Sequence, residues 1–160
     1  MNVRIDKILC PVDFSTSSEY ALNFAVAMAE TYGAELVLLH VIEPPVYAVS
    51  GDYLDPEFSV EMTRRQEAAS QKKLAEVEAG VRAKYPRIRA LSVSGAPFLG
   101  IVETARQEQA SLIVMGTQGR TGLAHMLIGS VAEKVVRKAP CPVLTVKHPD
   151  HDTGLPGETR

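Results

Sequence analysis

Short, almost unbroken aliphatic runs alternate along this chain with segments whose apolar residues recur at helical spacing, and that alternation leaves few folds open. Lys7-Ile8-Leu9-Cys10-Pro11-Val12, Glu35 to Val41, Ile88 to Ser94, Leu112 to Met115 and Val143 to Val146 read as strands. Continuous aliphatic runs mark strands covered on both faces, as in parallel sheets. Helical patterns separate them. Ala21, Phe24, Ala25, Met28, Ala29 and Tyr32 share one face of the first helix, with Thr16 and Glu19 at capping-box spacing and Gly33 where a C-terminal glycine belongs. The second helix runs from about Ser59 to Tyr85 on the stripe Leu74, Val77, Val81 and Tyr85. Its first half is polar, so either that half is partly exposed or the helix starts later. The third presents Phe98, Ile101, Val102 and Ala105 after Pro97, and the fourth Ala132, Val135, Val136 and Ala139 before Pro140. The order β-α-β-α-β-α-β-α-β predicts a doubly wound α/β fold with a parallel sheet and right-handed crossovers. Ligands of such sheets bind beyond the carboxyl ends of the strands, where the strand order reverses. The candidate loops are those after strands one, two and four. They carry Asp13, the segment after Val41, and a glycine-rich stretch.

A chain of 160 residues fits one domain with a substantial core. That domain is expected over residues 1–147, and the polar stretch 148–160, with Pro149, Gly154, Pro156 and Gly157, reads as a disordered tail. A net charge of −2 without a basic run gives no electrostatic footprint for nucleic acid or an anionic membrane, so neither partner is expected. Met1 to Lys7 lacks an apolar segment behind it, and no aliphatic stretch is long enough to span a bilayer. Cys10 and Cys141 fall in or beside strands and read as core thiols. A cytoplasmic location is the resulting expectation. Glu43 to Asp55, with Pro44, Pro45, Gly51, Tyr47 and Tyr53, is a long loop on the ligand side, either a lid or a solvated connection.

The chemistry is concentrated between Met115 and Lys147. Gly116 ends strand four, where a missing side chain lets a ligand approach the backbone; Gly119 and Gly122 allow positive φ. Gly129 permits a tight approach to helix four, Ser130 is its natural N-cap, and Glu133 completes a Ser-x-x-Glu capping box. Exposed backbone N–H groups and the positive helix end suit a phosphate. The same composition equally describes a turn before a well-capped helix, and the Ser130 hydroxyl fits either role. No Gly-Lys-Ser/Thr is present and the spacing is not G-x-G-x-x-G, so the Walker and dinucleotide fingerprints both fail. His125 can touch phosphate, act as a base, or sit in a turn. His148 and His151 read as solvated, and no Asp/Glu/His cluster marks a metal site built by the protein.

Gly116-x2-Gly119-x9-Gly129-Ser130 resembles the ATP-binding signature of the universal stress protein family. Val114-Met115-Gly116, Gly129-Ser130-Val131-Ala132-Glu133 and Pro140-Cys141-Pro142-Val143-Leu144 match its flanks, and Ile8-Leu9-Cys10-Pro11-Val12-Asp13-Phe14-Ser15 resembles its opening strand. The resemblance covers about Lys7 to Lys147. It implies a five-stranded Rossmann-like sheet with four helices, of the adenine nucleotide alpha hydrolase type, in the order 3-2-1-4-5. It implies that Asp13 contacts the nucleoside, that Val41 meets adenine through its backbone, and that Gly116, Gly119, Gly129 and Ser130 hold ribose and phosphates. Pro11, Val12, Met115 and Val131 complete the implied nucleotide-binding set, and Arg120, the cation of the loop, can pair with phosphate. A carboxylate at Asp13 can accept from ribose hydroxyls or an adenine amine, or else cap the first helix. The charge of ATP points to Mg2+ or Mn2+ held mainly by phosphate oxygens and water. No base, transition-state arginine or lysine stands out. The implied role is nucleotide-dependent regulation or stress response, with at most slow ATP hydrolysis. The alternatives are an ATPase or nucleotidyl-transfer enzyme on the same fold, or a dimeric interaction module independent of nucleotide. Family members commonly pair through the last strand, which implies a homodimer through Val143 to Val146. An apolar edge strand is in any case a liability unless covered.

Overall fold

The computed structural model describes residues 4–44, 56–119 and 128–149. The elements are β1 (Lys7–Pro11), α1 (Thr16–Tyr32), β2 (Glu35–Ile42), α2 (Pro56–Arg82), β3 (Ile88–Ser94), α3 (Pro97–Gln107), β4 (Leu112–Gly116), α4 (Ser130–Lys138) and β5 (Val143–Val146). Among the described residues the strands form one parallel sheet in the order β3-β2-β1-β4-β5, as expected. The chain starts in the centre, winds outward through β2 and β3, then crosses back to β4. The order reverses between β1 and β4, so their carboxyl ends splay into a crevice.

Each central strand is aliphatic throughout because its two faces feed two cores. Ile8, Cys10, Leu36, Leu38 and Val114 pack under α1 and α2 with Ala21, Ala25, Ala29, Leu74 and Tyr85. Leu9, Val37, Leu39, Ile113 and Met115 pack under α3 and α4 with Ile101, Val102, Ala105, Ala132 and Val135. Side chains alternate across a strand, so a sheet sandwiched between helices needs an apolar residue at every position. Cys10 belongs to the first core, and burial pushes its thiol up to about 12. Partial burial raises Cys141 as well. Among the described residues no helix is long and apolar enough to cross a membrane.

Helices α1, α2 and α4 differ from expectation at their ends, α4 at the cavity described below. α2 starts at Pro56, before Ser59, and stops at Arg82, before Tyr85. Its polar half is helical and mostly exposed, with an i,i+4 ion pair between Glu61 and Arg65; a second, between Glu78 and Arg82, lies at the end of the helix. Tyr85 stays buried beyond the helix, and its hydroxyl donates to the carbonyls of Ala34 at 2.6 Å and Ala29 at 3.1 Å. The N-cap of α1 is Ser15 rather than Thr16; its hydroxyl oxygen accepts the Ser18 N–H at 3.2 Å, so the Thr16–Glu19 box does not form. Gly33 closes α1 in the left-handed conformation, with φ 63°. The His148 ring is half-buried edge-on against Tyr20, at 5.0 Å, instead of solvated. Residues 45–55 of the long loop, residues 120–127 with Arg120, Gly122 and His125, and the tail from residue 150, His151 included, lie outside the described residues.

Candidate functional site

A cavity of about 300 Å³ opens where the carboxyl ends of β1, β2 and β4 meet the start of α4. Pro11, Val12, Asp13, Val41, Met115, Gly116, Gly119, Gly129, Ser130 and Val131 all line it. Of the expected set, Arg120 alone lies outside the described residues. Ser18, Leu39, His40, Glu43, Pro97, Ile101, Thr117, Gln118 and Ala132 complete the wall. One side of the cavity is apolar, built from Pro11, Val12, Leu39, Val41, Ile101 and Met115; the other is backbone and hydroxyl groups near Gly119, Gly129 and Ser130.

Asp13 divides its carboxylate between two tasks. Oδ1 accepts the Ser15 N–H at 3.0 Å and the Ser15 hydroxyl at 2.5 Å, bracing the cap of α1. Its own N–H donates to the Ser18 hydroxyl at 3.3 Å. Oδ2 is turned toward Gly119, where an added Cβ would stand 2.9 Å from it.

Packing adds reasons for Gly116 and Gly119, and Gly129 makes the tight approach expected of it, where a Cβ would meet the Thr117 carbonyl oxygen at 3.2 Å. Gly116 is glycine because α1 packs on β4: a Cβ there would meet the Ser17 hydroxyl at 2.5 Å and the Ser17 carbonyl oxygen at 3.0 Å. Gly119 has no positive φ, and steric room beside Asp13 is what it supplies. Gly129 donates its N–H to the Thr117 carbonyl at 2.6 Å, and the Thr117 N–H donates to Val146 at 3.0 Å. These bonds draw the two ends of the glycine-rich loop into a narrow neck.

That neck also moves the start of α4. The N-cap is Gly129, with no side-chain cap, so Ser130 is the first helical residue and not the cap. The expected box with Glu133 fails too; Glu133 pairs outward with Arg137 at 3.0 Å. Ser130, Val131 and Ala132, in the first turn of α4, line the cavity. The first turn of a helix leaves N–H groups without intrahelical partners, and their dipoles favour an anion.

His40 and Gly100 carried weaker signals in the chain. His40 interrupts the aliphatic run of β2, is 2% exposed, and places Nδ1 2.8 Å from the Val12 carbonyl oxygen. A carbonyl only accepts, so Nδ1 holds the proton. Gly100 lies within α3, and a Cβ there would meet the Val41 side chain at 2.9 Å. Its absence lets α3 seat directly on the strand end that presents Val41. Among the described residues no group of three or more His, Cys, Asp or Glu side chains could hold a metal ion. Asp13 and Glu43 are the carboxylates on the described wall.

The profile of the universal stress protein family matches residues 4–147. A universal stress protein of Methanocaldococcus jannaschii is 39% identical over 146 residues, covering 89% of this chain and 82% of that protein. The structure of the universal stress protein UspA from Lactobacillus plantarum superposes with a TM-score of 0.77 at 27% identity, covering 91% of this chain and 99% of that one. A universal stress protein solved in complex with cAMP superposes with a TM-score of 0.64 at 27% identity, covering 88% of this chain and 96% of that one.

Proposed function

The chain belongs to the universal stress protein family, and on that premise we propose that it binds ATP in the switch-point cavity as a nucleotide-dependent regulatory or stress-response protein. The observation that carries the reading is the convergence of Asp13, Val41, the Gly116-x2-Gly119-x9-Gly129-Ser130 pattern and the start of α4 on one cavity. The relative in complex with cAMP supports an adenine nucleotide as the ligand class. The intact glycine pattern supports ATP within that class.

In this reading the apolar half of the wall takes the base. Val41, at the end of β2, offers backbone N–H and C=O groups to the adenine edge. Asp13 Oδ2 accepts from the ribose hydroxyls while Oδ1 stays with Ser15. The first N–H groups of α4 and the Ser130 hydroxyl donate to phosphate oxygens, favoured by the positive helix end. Arg120 is the loop residue suited to pair with phosphate. A divalent ion, Mg2+ or Mn2+, held by phosphate oxygens and water would neutralise the remaining charge. The described wall carries no Lys or Arg, which supports binding with at most slow hydrolysis.

The proposal extends to a homodimer through β5. Val143 is half-buried and Leu144 is 36% exposed on this edge strand, and pairing with a second copy would cover both. Thermal denaturation tests the ligand: a ligand that binds only the folded chain raises its melting temperature. Mg-ATP is expected to produce a concentration-dependent rise. No rise at millimolar nucleotide overturns the reading.

A further inference from the structure

We propose that His40 is a positioning residue of the nucleotide site: its imidazole holds the residues on both sides of Asp13 and so sets the direction of that carboxylate. The inference rests on the nucleotide reading above. β1 pairs with β2 only as far as Pro11 opposite Leu39, so Val12 lies just past the end of the ladder. Its N–H still reaches the Leu39 carbonyl at 2.8 Å, and its own carbonyl takes the Nδ1–H of His40 at 2.8 Å. An aliphatic residue would serve the packing of β2 equally well. The imidazole supplies a donor to a strand-end carbonyl, which an aliphatic side chain cannot do.

The same ring reaches the other neighbour of Asp13. Phe14 has φ 64°, a left-handed conformation rarely adopted by bulky residues. Its ring lies 4.4 Å from the His40 ring, and the Lys73 ammonium of α2 sits 4.8 Å from the Phe14 ring centroid. The left-handed turn at Phe14 brings the Ser15 N–H and hydroxyl back onto Asp13 Oδ1. Oδ2 faces Gly119. His40 thus fixes residue 12 by a hydrogen bond and residue 14 by ring contact, and Asp13 is aimed by the pair.

Two variants separate these contacts, and a double-mutant cycle separates positioning from general packing. His40→Phe keeps a ring and removes the donor; His40→Asn keeps an N–H near the position of Nδ1 and removes the ring. Calorimetry with Mg-ATP and with adenosine is expected to show about a tenfold loss of affinity for both ligands in His40→Phe, and about a threefold loss in His40→Asn. Because His40 acts through Asp13, neither substitution is expected to weaken binding further in an Asp13→Ala background. Unchanged affinity in His40→Asn, or the same loss with and without Asp13, overturns the inference while leaving nucleotide binding in place. Should His40→Phe fail to fold, His40→Asn and its cycle decide the question alone. A wild-type chain that binds neither ligand overturns the nucleotide reading and this inference with it.

Discussion

A methyl group added at Gly116 would land 2.5 Å from the Ser17 hydroxyl and 3.0 Å from the Ser17 carbonyl oxygen, inside the packing of α1 on β4. Overpacking of this kind costs about 1–3 kcal/mol, and Gly116→Ala is expected to lower the melting temperature accordingly. The Ser17 hydroxyl is itself buried without a hydrogen-bond partner among the described residues. Ser17→Ala is therefore expected to be neutral or stabilising by up to about 1 kcal/mol. It is expected to relieve Gly116→Ala only in part, since the carbonyl contact remains. Gly119→Ala should do the reverse. Gly119 is exposed, and its missing Cβ faces Asp13 Oδ2 at 2.9 Å. Thermal melts should shift by about 0.5 kcal/mol or less, typical of surface positions, while Mg-ATP affinity measured by calorimetry falls about tenfold. The glycine spacing and the tight approach at Gly129 were legible in the chain, but the packing neighbours of Gly116 and Gly119 were not. The neighbours of Gly116 come from α1, and the neighbour of Gly119 from the turn after β1, both about a hundred positions away in sequence. His40 was legible only as a break in an aliphatic run, because what it bonds is a carbonyl on another strand.

At the scale of the elements, the strand starts are tied together by charge. Arg89 of β3 reaches Glu35 of β2 at 2.6 Å and also pairs with Glu108 at the end of α3. Lys7 of β1 adds Glu108 at 3.2 Å and Glu35 at 3.5 Å. The hydrogen bond from Arg89 is the main cause that holds both carboxyls below their ordinary value of 4.5. A carboxyl depressed in the folded state stabilises the protein above its unfolded pKa, and that contribution is lost as pH falls through the folded value. Stability is thus expected to be flat with respect to these groups above about pH 5 and to decline as pH drops below the 4.5 range. Glu108→Gln should flatten that acid slope in melts recorded across pH and cost about 1 kcal/mol or less at neutral pH, since the pairs are partly exposed. This network was not legible as a network, because its members are far apart in sequence and meet only through the sheet register. The strands themselves were legible from their continuous aliphatic runs. Helix ends were less so: Ser15 is the N-cap instead of Thr16 and Gly129 instead of Ser130, the first braced by a local bond to Asp13 and the second by a bond across the loop to Thr117.

For the whole molecule, β-α alternation was enough to specify a sheet covered on both faces, and the family resemblance was enough to specify its strand order. The fold brings five separate segments to one cavity, which no single segment defines. The same topology leaves β5 at an edge with Leu144 exposed. Leu144→Lys is expected to convert a dimer to a monomer in light scattering, with the fold retained by circular dichroism. A wild-type mass that is already monomeric at micromolar concentration contradicts the dimer. The central claim is that the switch-point cavity holds ATP, and titration calorimetry of Mg-ATP into the full chain tests it most directly. The account predicts saturable heat that weakens sharply in Gly119→Ala. No heat at millimolar nucleotide, or full affinity retained in Gly119→Ala, would contradict it.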